Sequence, residues 1–248
     1  MSDNIKENKE IAISVNDLVI SYRELEKTSI RASWRSFGKK VNRFTAIKNV
    51  SFEVEKGKIL GSVGKNGSGK STMLRAIAGI FAPDSGTIDL HGHSISLLSI
   101  GVGFNRKLSG RENIYLSGML LGFSIDEIAA KEEEIIKFAD IGEFIDKPVQ
   151  TYSSGMYSKL AFGITAVLET EIMLIDEVLS VGDAKFKKKS YAKMKELISN
   201  NERTVIIVSH NTETLQELCD DILWIHEGEM KAIGPANEIL PEYDKFMT

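Results

Sequence analysis

One nine-residue loop constrains the fold of this chain more than any other stretch. In order, its residues are Gly64, Lys65, Asn66, Gly67, Ser68, Gly69, Lys70, Ser71 and Thr72. An apolar run at 59–63 precedes the loop, and a run with helical periodicity at 72–80 follows it. A strand, a glycine-rich turn and a helix in this order are the context of a phosphate-binding loop. We therefore predict that the loop binds a nucleotide phosphate together with Mg²⁺.

The residue types in the loop fit that chemistry. Glycines let the backbone turn tightly and direct successive N–H groups at phosphate oxygens. The helix that follows directs the positive end of its dipole at the same anion. Lys70 supplies a mobile positive charge for the β- and γ-phosphates, and the Ser71 hydroxyl suits Mg²⁺.

Strands and helices alternate along most of the chain, and this alternation predicts an α/β fold. Strand-like runs occur at 11–22, 46–54, 58–63, 87–90, 94–100, 171–175, 203–209 and 222–225. The pattern favours a mainly parallel sheet with helices on both faces. From Ser109 to Phe138 the pattern is helical instead, which predicts a helical subdomain.

We interpret residues 1–248 as a single domain with three parts. The catalytic core, which carries an antiparallel β subdomain, is expected at 11–101 and 169–235. The helical subdomain is expected at 102–168, and a C-terminal helix at 236–248.

The stretch 23–43 is an insertion between the first two strands. It contains seven basic residues and two acidic ones, and Ile30, Trp34, Phe37 and Val41 recur in it at helical spacing. A basic amphipathic stretch suits a membrane surface or a membrane-embedded partner. Packing of its apolar face on the chain's own domain is an equally open alternative.

Composition excludes several classes of protein. The net charge of −4 gives no overall basic footprint for nucleic acid, and the single cysteine, Cys219, rules out a disulfide framework. No stretch approaches the ~20 apolar residues of a membrane span. Residues 1–10 lack the apolar region of a signal peptide. We therefore expect the chain to stay in the cytosol and to reach a membrane only through a partner.

Two further strand ends carry residues that suit nucleotide chemistry. Asp176 and Glu177 directly follow the apolar run 172–175, and His210 follows another strand. Ligands sit at the carboxyl ends of parallel strands, so these side chains should meet near the loop. Asp176 can hold Mg²⁺, Glu177 can polarise an attacking water, and His210 can hold the γ-phosphate or that water.

A second anion site is predicted where a helix-like run begins at 157. The residues before it, 151–156, are rich in hydroxyl groups and include Gly155. One chain thus has two phosphate-binding helix starts, although the first already saturates a nucleotide's phosphates. We expect a head-to-tail dimer in which the second site reaches the partner's nucleotide.

These motifs, in this order and spacing, resemble those of the ATP-binding cassette ATPases, and the resemblance covers about residues 11–235. More closely, the stretches 108–114, 152–156 and 176–183 are similar to the cassette subunits that export teichoic acids, O-antigens and capsular polysaccharides. The resemblance implies the fold of a P-loop NTPase, with ATP and Mg²⁺ as cofactors.

The resemblance also implies a role for each motif. The loop 64–72 would cradle the phosphates, and Ser71 with Asp176 would hold Mg²⁺. Glu177 would be the general base, and His210 the switch residue that senses the γ-phosphate.

Further roles carried by the resemblance concern the partner and the base of the nucleotide. The signature segment would act on the γ-phosphate of the partner's ATP; its residues are Ser153, Ser154 and Gly155. Asp183 would sit at the dimer seam. Tyr22 is the first candidate for stacking on adenine, with Phe37 and Phe44 as rivals.

The chain departs from the family pattern at two places. Ser154 and Met156 stand where the signature usually has a glycine and a glutamine, which fits the polysaccharide-export branch. No glutamine lies between Thr72 and Gln150, so the usual glutamine near 101–105 is missing. We expect backbone or water to complete the Mg²⁺ site there.

The function implied is that of an ATPase subunit of an exporter for a lipid-linked cell-surface polymer. Two copies would close over two ATP molecules and drive separate polytopic membrane subunits, at the cytoplasmic face of the membrane. A non-transport cassette ATPase and a nucleotide-gated module with little turnover are the alternatives.

Overall fold

A computed structural model describes residues 10–23, 43–98, 103–176, 183–199 and 203–247. The strands are β1 (Ile11–Arg23), β2 (Arg43–Glu55), β3 (Ile59–Val63), β4 (Ser85–Asp89), β5 (Ile95–Leu98), β6 (Ile172–Asp176), β7 (Thr204–Val208), β8 (Asp221–His226) and β9 (Glu229–Pro235). The helices are α1 (Lys70–Ile77), α2 (Gly110–Leu120), α3 (Ile125–Ala139), α4 (Ser154–Val167), α5 (Ala184–Ser199), α6 (Thr212–Leu218) and α7 (Ala236–Met247). The insertion expected at 23–43 lies outside the described residues except at its two ends.

The larger sheet has the strand order β5-β6-β7-β3-β8-β9. All neighbouring strands in it are parallel except β8 and β9, which form an antiparallel hairpin. Every residue of β6 and β7 is buried. Both faces of these strands are covered, which explains their nearly continuous apolar sequence. The prediction of a mainly parallel core is confirmed.

Two hydrophobic clusters cover the two faces of this sheet. Successive residues of one strand contribute to opposite clusters, as Ile206 and Ile207 do in β7. The smaller sheet and α1 complete the first cluster, whereas α4, α5, α6 and α7 contribute to the second. Because β3 lies between β7 and β8, the loop that follows β3 emerges at the middle of the sheet.

The smaller sheet is antiparallel, with β1 paired to β2 on one side and to β4 on the other. Its buried residues, among them Ile13, Leu18 and Ile47, pack over α1 and the larger sheet. The sheet therefore forms one wall of the region around the glycine-rich loop.

Helices α2, α3 and α4 share a separate hydrophobic cluster that includes Ile114, Ile128 and Leu160. Ser109 begins α2 and Ser124 begins α3, each in a capping box with the glutamate three residues later. These caps explain why both helices start sharply. No helix among the described residues is long and apolar enough to cross a membrane.

Strand β9 is the element that the sequence analysis missed. It is an edge strand whose residues are mostly exposed, so it lacks an alternating apolar pattern. Its hairpin turn uses Glu227 and Gly228, which both have positive φ. Such a turn is most easily recognised from Asn-Gly or Asp-Gly, and the glutamate here hides it.

Candidate nucleotide-binding site

The glycine-rich loop is pressed between two strands and leaves no room for side chains at two of its glycines. A Cβ atom at Gly64 would lie 2.1 Å from the carbonyl oxygen of Ile225 in β8. A Cβ atom at Gly69 would lie 2.4 Å from the carbonyl oxygen of Ala46 in β2, and the φ of Gly69 is +105°. The fold of the chain itself therefore requires glycine at both positions.

The start of α1 offers hydrogen-bond donors to a ligand. Its N-cap is Gly69, and no side chain caps the first turn. The first N–H groups of a helix lack carbonyl partners within the helix, and they carry the positive end of its dipole. The buried hydroxyl of Ser68 also has no hydrogen-bond partner among the described residues. These groups suit the oxygens of a phosphate.

Lys70 is buried at this helix start and folded back onto the loop. Its Nζ donates to the carbonyl oxygens of Gly64, at 2.6 Å, and Lys65, at 3.1 Å. Burial lowers the pKa of the Lys70 ammonium, and the negative charge of Asp176 opposes that shift. A phosphate in the loop would favour the charged ammonium in the same way.

Ser71 and Asp176 meet, as the sequence analysis predicts. The Ser71 hydroxyl donates to Oδ1 of Asp176 at 2.8 Å, and Asp176 is buried at the end of β6. A hydroxyl and a carboxylate beside a phosphate are hard oxygen ligands, so the pair fits Mg²⁺. Glu177 follows directly and lies outside the described residues.

One cleft unites most of the predicted nucleotide-binding residues. Its lining consists of Tyr22, Phe44, Ala46, Asn66, Gly67, Ser68, Gly69, Lys70, Ser71, Thr72, Val208 and His210. His210 reaches the cleft because it follows β7, the neighbour of β3. Partial burial and then the positive charge of Lys70 lower the pKa of the His210 imidazole. The neutral imidazole is therefore favoured at neutral pH.

Two aromatic rings stand at the mouth of this cleft. Tyr22 and Phe44 are partners across the β1–β2 pair and are 43% and 52% exposed. The Tyr22 hydroxyl donates to the Thr72 hydroxyl at 3.1 Å. Both rings suit stacking on a purine, so Phe44 stays a rival of Tyr22, while Phe37 lies outside the described residues.

The second predicted helix start lies apart from this cleft, and helix α4 begins at Ser154 rather than at the predicted 157. Ser153 is the N-cap of α4, and its hydroxyl accepts a hydrogen bond from the Met156 N–H at 3.2 Å. Ser153 and Ser154 are exposed, and residues 153–155 do not line the cleft. A Cβ atom at Gly155 would find its nearest neighbour at 3.9 Å, so the chain's own packing does not require glycine there.

Asp183 joins α5 to α4 rather than lining the cleft. Its carboxylate accepts from the Phe186 N–H at 2.9 Å and from Lys159 Nζ at 2.7 Å. The hydrogen bond from Lys159 is the main reason why the pKa of Asp183 falls to about 2. Its place at a dimer seam stays a prediction.

The region where a glutamine is missing is described only from Gly103 onward. The Asn105 side chain is hydrogen-bonded within its own loop, where its Oδ1 accepts from the Lys107 N–H at 3.0 Å. Its backbone N–H donates to Oδ1 of the buried Asn113 at 2.8 Å. The side chain and the backbone of Asn105 are therefore both held by neighbouring residues of the helical subdomain.

The sequence analysis missed an apolar groove between α1, β5 and the helices α2 and α4. The side chains that line it include Ile80, Leu97, Phe104, Leu120 and Ile164. Leu120 is 63% exposed, although it ends a helix that has a buried face. The sequence signal for such a groove is a helix end with more apolar residues than its one buried face needs.

The chain is similar to known proteins along most of its length. The family profile described as "ABC transporter" matches residues 47–180. The O-antigen export system ATP-binding protein RfbB of Myxococcus xanthus is 41% identical over 94% of this chain and 55% of its own length. The teichoic acids export ATP-binding protein TagH of Lactococcus lactis is 44% identical over 82% of this chain and 43% of its own length. The chain thus spans about half the length of these curated relatives.

A shorter relative and the solved structures extend the comparison. An O-antigen export system ATP-binding protein RfbB of Klebsiella pneumoniae is 41% identical, over 84% of each chain. A dimeric, post-hydrolysis ATP-binding cassette bound to ADP and Pi has a TM-score of 0.69 and 20% identity, covering 90% of this chain and 98% of that chain. The ATP-binding subunit of an ABC transporter has a TM-score of 0.72 and 21% identity, covering 94% and 93%. These structures confirm the predicted fold.

Proposed function

The chain belongs to the ABC transporter family, and we propose that it is the ATP-hydrolysing subunit of an exporter for a lipid-linked polysaccharide or teichoic acid. The observation that carries the proposal is the cleft that brings Lys70, the Ser71–Asp176 pair and His210 together. The polymer class is supported by the names of the relatives, which are export subunits at 41–44% identity.

The reaction is hydrolysis of ATP to ADP and phosphate. The loop N–H groups and Lys70 bind the phosphate chain, and Ser71 and Asp176 would hold Mg²⁺. A bound Mg²⁺ would supply positive charge that offsets the charge of the phosphates. Glu177 accepts a proton from the attacking water, and the neutral His210 orients the γ-phosphate or that water.

Two copies of the chain act together, head to tail. The start of α4 supplies the exposed Ser153 and Ser154 and the partly buried Gly155, and none of the three lines the chain's own cleft. A Cβ atom at Gly155 would meet nothing nearer than the Ser153 hydroxyl at 3.9 Å, so the glycine leaves a phosphate oxygen room to approach its backbone closely. The second copy therefore completes each site over the nucleotide, and Asp183 lies at the seam.

A separate membrane subunit docks in the apolar groove, and the pair works at the cytoplasmic face of the membrane. The groove lies between the end of α1, where Ala78 and Ile80 follow the helix that begins at the nucleotide loop, and the helical unit that carries Ser153 and Gly155. A partner seated between them would sense both halves of the ATP site. The basic insertion at 23–43 provides a further contact with that partner or with lipid.

A complementation experiment tests this function with a matched pair of variants. A host that lacks the chain receives wild type, Lys70→Ala, Leu120→Glu or Ile125→Glu, and surface polymer is measured. Leu120 and Ile125 are 63% and 60% exposed, but Ile125 lies outside the groove. We expect Lys70→Ala to abolish export, Leu120→Glu to abolish export while the purified protein still hydrolyses ATP, and Ile125→Glu to export normally.

Other results would overturn parts of the proposal. Normal export by Leu120→Glu would remove the groove as the docking site. Purified wild type that binds ATP without turnover, even with the membrane fraction present, would favour a nucleotide-gated module. Normal surface polymer in the host that lacks the chain, with intact hydrolysis by the purified protein, would favour a non-transport ATPase.

A further inference from the structure

Helix α7 contacts the beginning of the phosphate loop, although none of its residues lines the nucleotide cleft. Lys65 Nζ lies over the ring of Phe246, 5.4 Å from the ring centroid. One turn earlier, burial raises the pKa of the Tyr243 phenol, and a hydrogen bond with the backbone of Gly64 opposes part of that rise. Two side chains of α7 thus touch the first two residues of the loop.

Phe246 is held in place from several directions. Its ring makes edge contacts with Trp224, at a centroid distance of 5.2 Å, and with His226, at 5.0 Å. Lys231 Nζ lies 3.5 Å from the centroid of the Phe246 ring and 4.1 Å from that of Trp224. The ring is 40% exposed, and these contacts fix it against β8 and β9.

The β8–β9 hairpin grips the phosphate loop at a second point. The Gly228 N–H donates to the carbonyl oxygen of Ser68 at 3.1 Å, and the Gly228 carbonyl accepts from the Lys48 N–H at 2.7 Å. A Cβ atom at Gly228 would lie 2.7 Å from the carbonyl oxygen of Ala46. The turn is therefore fitted closely between β2 and the loop.

From these contacts we infer that the β8–β9 hairpin and α7 form a brace that holds the phosphate loop in its ligand-receiving shape. The brace contacts the loop at its start, at Gly64 and Lys65, and again at its middle, at Ser68. Phe246 is then a positioning residue that touches no nucleotide. The inference rests on the proposed nucleotide site and adds a structural determinant of its affinity.

The physical reason is preorganisation. A ligand binds with an apparent dissociation constant that rises as the fraction of competent protein falls. If the loop loses one of its supports, it samples shapes in which the N–H groups no longer converge. Nucleotide affinity then drops even though every residue that touches the phosphates is unchanged.

Calorimetric titration with Mg²⁺ and ADP tests the brace on the full chain. The variants are Phe246→Ala, Phe246→Leu, Phe246→Tyr and the control Met247→Ala, in which the changed residue is the next in α7 and is similarly exposed. Because Phe246→Ala and Phe246→Leu lose the contact with Lys65, we expect them to bind ADP about two- to fivefold more weakly. Phe246→Tyr keeps an aromatic face and should bind like wild type, as should Met247→Ala.

Tryptophan fluorescence gives a readout that a merely structural role would not move. The sequence has two tryptophans, so Trp34→Phe leaves Trp224 as the single emitter. Because Trp224 packs against Phe246, we expect ADP to change its emission in this background, and Phe246→Leu to suppress the change. Thermal unfolding of each variant reports on folding separately.

The outcomes are distinguishable. If Phe246→Leu is folded and binds ADP with the affinity of Met247→Ala, the brace does not exist. The brace would also be contradicted if ADP changed the emission of Trp224 equally in the presence and in the absence of the Phe246 ring. Failure of the wild-type chain to bind ADP would instead overturn the proposed function on which the inference rests.

Discussion

The starts of α1 and α4 look alike in sequence but differ in structure. Both combine serine and glycine at the first turn of a helix, yet no side chain caps α1, whereas Ser153 caps α4. Glycine is required at 64 and 69 because a Cβ atom there would lie 2.1 and 2.4 Å from backbone oxygens. A Cβ atom at Gly155 would find its nearest neighbour at 3.9 Å. The first start is shaped by the chain itself, and the second is open to something outside it.

This contrast teaches how to separate two uses of glycine. A glycine whose Cβ would strike the chain's own backbone is explained by the fold. A glycine with open space around it, at an exposed helix start, needs another explanation, because alanine would stabilise the helix. At Gly155 we infer that the explanation is the nucleotide of a second copy.

The largest expected effect comes from Glu177→Gln, which separates binding from hydrolysis. Loss of a general base should lower kcat by about 10²–10⁴-fold, because the water keeps its proton. ATP binding should persist, since the loop and Lys70 are intact. Phosphate release and ATP titration measure the two effects, with Glu143→Gln as an exposed control. Normal turnover would remove Glu177 from the mechanism.

Gly69→Ala tests whether the start of α1 is shaped by the fold. The added methyl group would meet the Ala46 carbonyl and force a left-handed residue to carry a side chain. We expect a loss of about 1–3 kcal/mol in the free energy of unfolding, together with loss of nucleotide binding. Chemical denaturation and ATP titration measure both. Unchanged stability would mean that the loop is looser than described.

Gly155→Ala is the matching change at α4, and its effect on stability should be opposite to that of Gly69→Ala. Stability should rise by about 0.5–1 kcal/mol, because alanine favours the helix and the site has room for it. ATP hydrolysis should fall about ten- to hundredfold, because the methyl group displaces the partner's phosphate. Binding of ATP to the single chain should not change. Full hydrolysis by this variant would mean that α4 does not act on a nucleotide.

The smallest effect concerns the hydrogen-bonded ion pair between Lys159 of α4 and Asp183, which precedes α5. The pKa of Asp183 is about 2 in the folded chain and 3.8 without its partners, so the pair stabilises the fold above the higher value. That stabilisation should disappear as the pH falls from about 5 to about 2, and it should be modest because the pair is exposed. Thermal unfolding between pH 5 and pH 2 should show a shallower pH dependence for Asp183→Asn. Lys159→Met should lie between Asp183→Asn and wild type, because the Phe186 N–H still lowers the pKa of Asp183. Slopes equal to wild type in both variants would contradict the role of this pair.

Local residue patterns predicted the phosphate loop, its strand and its helix. The same holds for Asp176 and His210, because the ends of parallel strands meet by geometry and need no knowledge of tertiary detail. Short-range capping also explains the observed helix starts at Ser109, Ser124 and Ser153, although the sequence analysis expected the last of these helices to begin at 157.

Contacts between distant segments could not be predicted in this way. Phe246 and Lys65 meet because two separate elements pack together, and no periodicity marks either one. Tyr22 and Phe44 are equal partners across β1 and β2, so the sequence left the adenine contact open, and the structure brings both rings to the cleft. Strand β9 escaped notice because an exposed edge carries little hydrophobic pattern.

The contrast between the starts of α1 and α4 is tested most directly by the mass of the Glu177→Gln protein in the presence of ATP and Mg²⁺. Light scattering after size-exclusion chromatography measures it. We predict twice the monomer mass with ATP, the monomer mass without ATP, and the monomer mass with ATP when Gly155→Ala is added. A monomer that has bound ATP, or a dimer that Gly155→Ala leaves intact, would contradict the claim that the start of α4 completes the site of a second copy.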